Sequence, residues 1–224
     1  MEGKILRAKI IRINRLLDKE YGSEKPWKLP SIDALVNVIL SQNTNDVNSG
    51  KAFRKLKRRF KNWDELLNSP EREIAKAIKE GGLANIKAKR IRTVLRQIKE
   101  KTGKLDLDFL SDYSPADARN YLMQFDGIGP KSAAVIVAFA FGKPAFPIDT
   151  HIFRVIKRIP LIPEKMSYGK AHEFMEEAVP DKLKIPLHVQ VIMLGRKICK
   201  AQKPLCSECV LNGMCKKIGV GKRG

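Results

Sequence analysis

Apolar residues fall at helical spacing along almost the whole chain. Between residues 4 and 18, Ile5, Ile10, Ile13, Leu16 and Leu17 gather on one face while Lys4, Arg7, Lys9, Arg12 and Arg15 take the rest, which predicts an amphipathic helix. The run Tyr21-Gly22-Ser23-Glu24-Lys25-Pro26 reads as a linker. Pro30-Ser31 then opens a helix that Ser31 can cap, and its apolar run Leu35, Val36, Val38, Ile39, Leu40 predicts full burial. A basic amphipathic helix follows. Val47, Phe53, Leu56 and Phe60 are expected to face inward, ringed by Lys51, Arg54, Lys55, Lys57, Arg58, Arg59 and Lys61. Ser69-Pro70 and Ser114-Pro115 each offer a capping hydroxyl, a proline for the first helical position and an acid in the first turn, Glu71 and Asp117. Gly81-Gly82 and Gly103 punctuate the helices between. No alternation of period two and no hairpin dipeptide between apolar runs appears, so the expected class is all-α.

Composition adds a partner to this picture. The chain has 224 residues, enough for one large domain or two intimately packed ones. It carries 44 Lys and Arg against 24 Asp and Glu, a formal charge of +20. Self-repulsion on that scale is relieved by a polyanion, which puts nucleic acid first among partners and an anionic membrane surface second. No apolar run is long enough to cross a membrane, and the charged N-terminus is not that of a signal peptide. The expected setting is therefore intracellular, not secreted and not membrane-bound. There the four cysteines stay reduced and argue for a metal or cluster rather than disulfides.

Three runs carry candidate chemistry. In Phe125-Asp126-Gly127-Ile128-Gly129-Pro130-Lys131 a helix begun at Ser114 must end before Gly127, and another starts at Pro130. Two glycines permit a tight turn, Ile128 can plug the angle, and the second helix aims its free amides and positive dipole end outward, where phosphate is the natural ligand. The same run also suits a plain corner between two helices. Lys131 stands in the first turn of that second helix, where the helix field favours loss of its proton and hence nucleophilicity. It equally suits one more phosphate contact. Asp149, 18 residues on, sits where a helix begins and is both an N-cap candidate and a well-oriented carboxylate; His151 reads as structural. Cys199, Cys206, Cys209 and Cys215, spaced C-x6-C-x2-C-x5-C, suit tetrahedral zinc or a cubane iron–sulfur cluster, with the spacing leaning away from zinc ribbons. Lys200 and Lys203 lie in the loop between the first two.

With these motifs together, Gly127-Ile128-Gly129-Pro130-Lys131, Ile148-Asp149-Thr150-His151 and the four-cysteine loop preceded by Leu194-Gly195-Arg196, the chain resembles the endonuclease III family of base-excision DNA glycosylases from about residue 28 to Cys215. The resemblance implies two helical lobes flanking a DNA-binding cleft. One is a six-helix barrel of residues 30–142 with the helix-hairpin-helix at about 114–141. The other joins 1–29 to 143–224 and holds a 4Fe–4S cluster on the loop 199–215. It implies that Lys131 is the catalytic lysine and Asp149 the catalytic aspartate of a bifunctional glycosylase and abasic-site lyase. The partner would be duplex DNA with a damaged base, an oxidised pyrimidine by family expectation, or an abasic site, met by a monomer. DNA contacts are expected from Gly127, Ile128, Gly129, Lys200 and Lys203. Leu40-Ser41-Gln42-Asn43-Thr44-Asn45-Asp46 resembles the segment that fills the gap left by the extruded base, with Asn43 aligned to a family residue that is commonly Gln and Gln42 beside it. Leu83 is the candidate wedge. Two alternatives stand beside this reading. A monofunctional mismatch, uracil or adenine glycosylase lacks the lysine at 131, and the adenine enzymes carry a catalytic Glu where this chain has Asn37. A non-enzymatic DNA-binding module with zinc would leave the pairing of Lys131 with Asp149 unexplained.

Overall fold

The computed structural model describes residues 2–22 and 28–221, so most of the expected linker at 21–26 lies outside the described residues. Among the described residues the fold is entirely helical, and no helix is long and apolar enough to cross a membrane. The chain forms two compact units, Trp27–Lys143 and Met1–Pro26 with Pro144–Gly224.

The first unit is built on α2 (Ser31–Ser41), nine of whose eleven residues are buried. Each of its fully buried Leu, Ile and Val side chains is worth about 1.5–3 kcal/mol. Against it pack α3 (Asp46–Arg59), α6 (Ala84–Thr102) and α8 (Pro130–Phe141). The short α4 (Trp63–Asn68) and α5 (Glu71–Ala77) lie against α6, and α7 (Pro115–Leu122) pairs with α8.

Three local expectations change here. Ser31 does not cap α2; its buried hydroxyl accepts the Leu107 amide at 3.3 Å, and Pro30 occupies the cap position. Ser69 likewise closes α4 rather than opening α5, donating to the Glu65 carbonyl at 2.7 Å. Ser114 does cap α7, accepting the Asp117 amide at 3.1 Å. Val47 is 65% exposed because the buried stripe of α3 runs through the small residues Ser49 and Ala52 to Leu56, a phase that turns Val47 outward. Small residues win there because another segment comes close: a Cβ on Gly81 would sit 3.2 Å from the Ala52 methyl.

The second unit joins α1 (Glu2–Tyr21) to α9 (Thr150–Arg158), α10 (Tyr168–Ala178) and α11 (Asp181–Lys197). Its core gathers Ile10, Ile13 and Leu17 of α1 with Phe146, Ile148, Ile152, Val155 and Leu194. Ile5, expected on that face, is 65% exposed, because the buried stripe of α1 runs through Leu6, Ile10, Ile13 and Leu17, a phase that leaves Ile5 off it.

Candidate functional site

The glycine run at 127–129 makes the expected turn between two helices. Gly127 takes φ +78°, a conformation that costs any residue with a Cβ, and Gly129 is the extended cap ahead of Pro130 at the first position of α8. Ile128 is buried to 3% exposure, and its amide donates to the Phe125 carbonyl at 3.1 Å. It therefore plugs the corner, and its own amide is spent within the turn. The amides that open α8 have no intrahelical acceptor and point out from the turn. Lys131 is exposed in this first turn.

Gln42 is tied at both ends of its amide. Its Nε2 donates to the Gly127 carbonyl at 3.0 Å, and its Oε1 accepts from Arg90 Nη1 at 2.6 Å. Asn43 is the reverse: exposed, with φ +53° and no hydrogen bond of its own among the described residues. Leu83 also holds a left-handed backbone, φ +49°, with half of its side chain (51%) in solvent. An apolar residue held in strain and in water is a local cost that packing in this chain does not explain.

In the second unit, Asp149 caps α9, its Oδ1 accepting the Ile152 amide at 2.7 Å. The residues before it form no regular structure, so their backbone groups need other partners. Glu176 accepts the Phe146 amide at 2.8 Å while Lys184 donates to the other oxygen of the same carboxylate at 2.9 Å. His188 Nδ1 lies 2.8 Å from the Pro147 carbonyl, which only accepts, so that nitrogen carries the proton. The Tyr168 hydroxyl donates to the Ile148 carbonyl at 2.6 Å, and burial followed by the Asp149 charge pushes its pKa above the ordinary tyrosine range. His151 is structural: Arg154 Nη2 lies 3.1 Å from its ring, and Gly195 packs so closely that a Cβ there would be 3.0 Å from the His151 Cβ.

Cys199, Cys206, Cys209 and Cys215 line one pocket with Ile159, Leu194, Ile198 and Pro204. Among the described residues, no three His, Cys, Asp or Glu side chains converge closely enough to hold a single metal ion. Four thiols around one pocket can supply one thiolate to each iron of a cubane cluster. Donors reach the sulfurs: Arg158 Nη1 stands 3.3 Å from Cys199 Sγ, and the Lys217 amide 3.3 Å from Cys215 Sγ. Burial pushes the Cys209 and Cys215 thiols up. Two arginines one turn apart on α9 grip the loop. Arg154 donates to the Cys199 and Gly195 carbonyls, and Arg158 to those of Lys200 and Ala201. Lys200 and Lys203 are exposed.

The sequence reading did not find Arg90, Tyr168, Glu176, His188, Arg154 or Arg158. Only the i, i+4 pair of arginines left a pattern that could have been noticed; Tyr168, Glu176 and His188 act on backbone far away in sequence, and Arg90 on the distant Gln42 side chain. Lys131 belongs to the first unit and Asp149 to the second.

Comparison with known proteins gives this geometry a setting. Residues 36–181 match the HhH-GPD superfamily of base excision DNA repair proteins, and residues 199–215 match the iron-sulfur binding domain of endonuclease III. The cofactor of this domain is a 4Fe–4S cluster. The chain is 33% identical over 196 residues to endonuclease III of Escherichia coli, covering 88% of this chain and 86% of that one. It is 34% identical over 181 residues to a protein of Arabidopsis thaliana named as a DNA glycosylase, covering 81% of this chain and spanning 59% of that protein's length. Among solved structures, a non-covalent endonuclease III–DNA complex superposes with a TM-score of 0.81 at 26% identity, over 94% of this chain and 95% of that one.

Proposed function

The chain belongs to the HhH-GPD superfamily of base excision DNA repair proteins, and from that premise we propose that it is a bifunctional DNA glycosylase and abasic-site lyase acting on duplex DNA. The observation that carries the reading is Lys131, an exposed amine in the first turn of α8 directly behind the Gly127–Gly129 turn. A monofunctional enzyme needs no amine there. The likeness to E. coli endonuclease III and to a protein solved on DNA supports the same substrate class.

A base inside the stack cannot be attacked, so it is extruded, at about a few kcal/mol, less for a damaged pair. Leu83 is the apolar wedge in this reading and Asn43 fills the gap; Gln42, engaged with Gly127 and Arg90, braces the turn instead. Amides around Gly127 and Gly129 and the side chains of Lys200 and Lys203 take phosphates. Asp149 assists, by taking a proton from Lys131 or by stabilising cationic character on the sugar, and the lone pair of the neutral Lys131 amine bonds to C1′ as the glycosidic bond breaks and the base leaves with the bonding electrons. The sugar opens to an imine, loss of the adjacent sugar proton follows, and the 3′ phosphate is expelled by β-elimination. Cys199, Cys206, Cys209 and Cys215 are the ligands of the cluster. Each thiolate would hold one iron, and the cluster so held would serve structure and DNA docking rather than hydrolysis. Oxidised pyrimidines are the proposed lesions.

The test is borohydride trapping on a panel of duplexes that each carry one lesion or an abasic site. A covalent adduct on at least one damaged-base duplex, with matching strand cleavage, is expected. Base release without any adduct would establish the monofunctional alternative in its place.

A further inference from the structure

Helix α6 carries two cations that the chemistry above does not use. Lys87 is 2% exposed, and among the described residues no carboxylate pairs with it. Burial first, and then the charge of Arg90, push its pKa below the usual lysine range, so the site holds this amine against an electrostatic cost. What holds it is backbone. Its Nζ donates to the Leu40 carbonyl at 2.7 Å and to the Gly81 carbonyl at 2.8 Å. Leu40 lies in the last turn of α2, whose carbonyls lack intrahelical partners and carry the negative end of the helix dipole. Gly81 ends the short turn that precedes Gly82 and Leu83. One buried ammonium thus bonds the two backbone segments that lead into Asn43 and Leu83, both left-handed.

Arg90 lies one turn further along the same face of α6. Its Nη1 donates to Gln42 Oε1 at 2.6 Å, and its guanidinium packs on Gly127 so closely that a Cβ there would fall 2.5 Å from Nε. Gln42 completes the triangle by donating to the Gly127 carbonyl at 3.0 Å. From a single rigid helix, two side chains therefore reach the 40–43 segment, the 81–83 segment and the hairpin turn.

We propose that Lys87 and Arg90 are positioning residues that lock the gap-filling residue, the wedge and the phosphate-binding hairpin into one preset arrangement, so that base extrusion does not wait on the ordering of three separate loops. This rests on the functional reading above. The frame explains why a charge is kept inside this unit and why Leu83 tolerates its backbone strain.

The experiment compares wild type with Arg90→Met, Gln42→Ala and Lys87→Met under single-turnover conditions, on the lesion the wild type traps most strongly. That lesion is presented once in a paired duplex and once in a single-nucleotide bulge, where no partner base is left behind and little unstacking remains. Each variant is expected to lose on the order of tenfold or more on the paired lesion, the worth of one charge-assisted hydrogen bond, and less than about threefold on the bulge. Gln42→Ala and Arg90→Met change half-exposed side chains and keep the test open if Lys87→Met does not fold. Equal losses on both substrates, or lowered melting temperature with unchanged rates, would overturn the frame. A wild type that releases no damaged base from any duplex would instead overturn the functional reading, and the frame with it.

Discussion

The Asp149 carboxylate holds the Ile152 amide at 2.7 Å, so replacing it disturbs helix α9 as well as any chemistry. The two effects separate by choice of substitute. Asparagine caps as well as aspartate, whereas alanine costs about 1 kcal/mol at such a position. Asp149→Asn should therefore melt like the wild type yet lose most of its base-excision rate, while Asp149→Ala loses both; calorimetry beside single-turnover kinetics reads the difference. Lys131 gives the opposite test. It is exposed and sits near the positive end of a helix dipole, so Lys131→Ala should leave melting unchanged or raise it slightly. The same variant should form no borohydride adduct and cut no strand, with duplex affinity within about threefold of wild type, since one of several phosphate-side cations is lost. Undiminished trapping would remove Lys131 from its role.

At the scale of elements, the irregular segment before α9 depends on α10 and α11 for its backbone partners. Tyr168→Phe leaves the Ile148 carbonyl without its donor, a loss of about 0.5–1.5 kcal/mol in stability. If the segment aims Asp149, the same change also slows base excision, and only while the carboxylate is present. In a double-mutant cycle Tyr168→Phe should add nothing to Asp149→Asn; additive losses would show a general packing defect instead. The opposite end of α9 bears the cysteine loop through Arg154 and Arg158. Replacing Cys206 or Cys209 should accordingly lower the stability of the second unit and weaken DNA binding through displacement of Lys200 and Lys203. The bond broken by whatever protein remains folded should not change. Iron and sulfide analysis of anaerobically purified wild type should give about four of each per chain, and stoichiometric zinc without iron would contradict the cluster.

For the molecule as a whole, the +20 charge predicts how affinity responds to salt. Binding that releases counterions from several phosphates should lose affinity with a slope of about −0.9 in log K against log salt per contact. Removing Lys200 and Lys203 together should flatten that slope by roughly two contacts without altering the excision rate at saturation. A near-flat titration of the wild type would mean that the charge serves something other than the phosphate backbone.

The all-helical class, the α7–α8 corner, the cap at Asp149 and the grouping of four cysteines were legible in the amino-acid order because each is local. Helical spacing, a proline at a first position, a glycine where φ must be positive and closely spaced thiols act within a few residues. The misreadings at Ser31, Ser69 and Val47 arose where a local rule met a stronger distant one. The Ser31 hydroxyl serves an amide 76 residues away, and α3 turns its small residues inward because Gly81 approaches there. Which of Gln42 and Asn43 stays free, and what anchors Leu83, was decided by tertiary structure alone. Lys87 bonds backbone carbonyls, which every residue possesses, and Arg90 reaches a Gln42 side chain 48 residues away, so neither partnership leaves a mark in the local side-chain pattern.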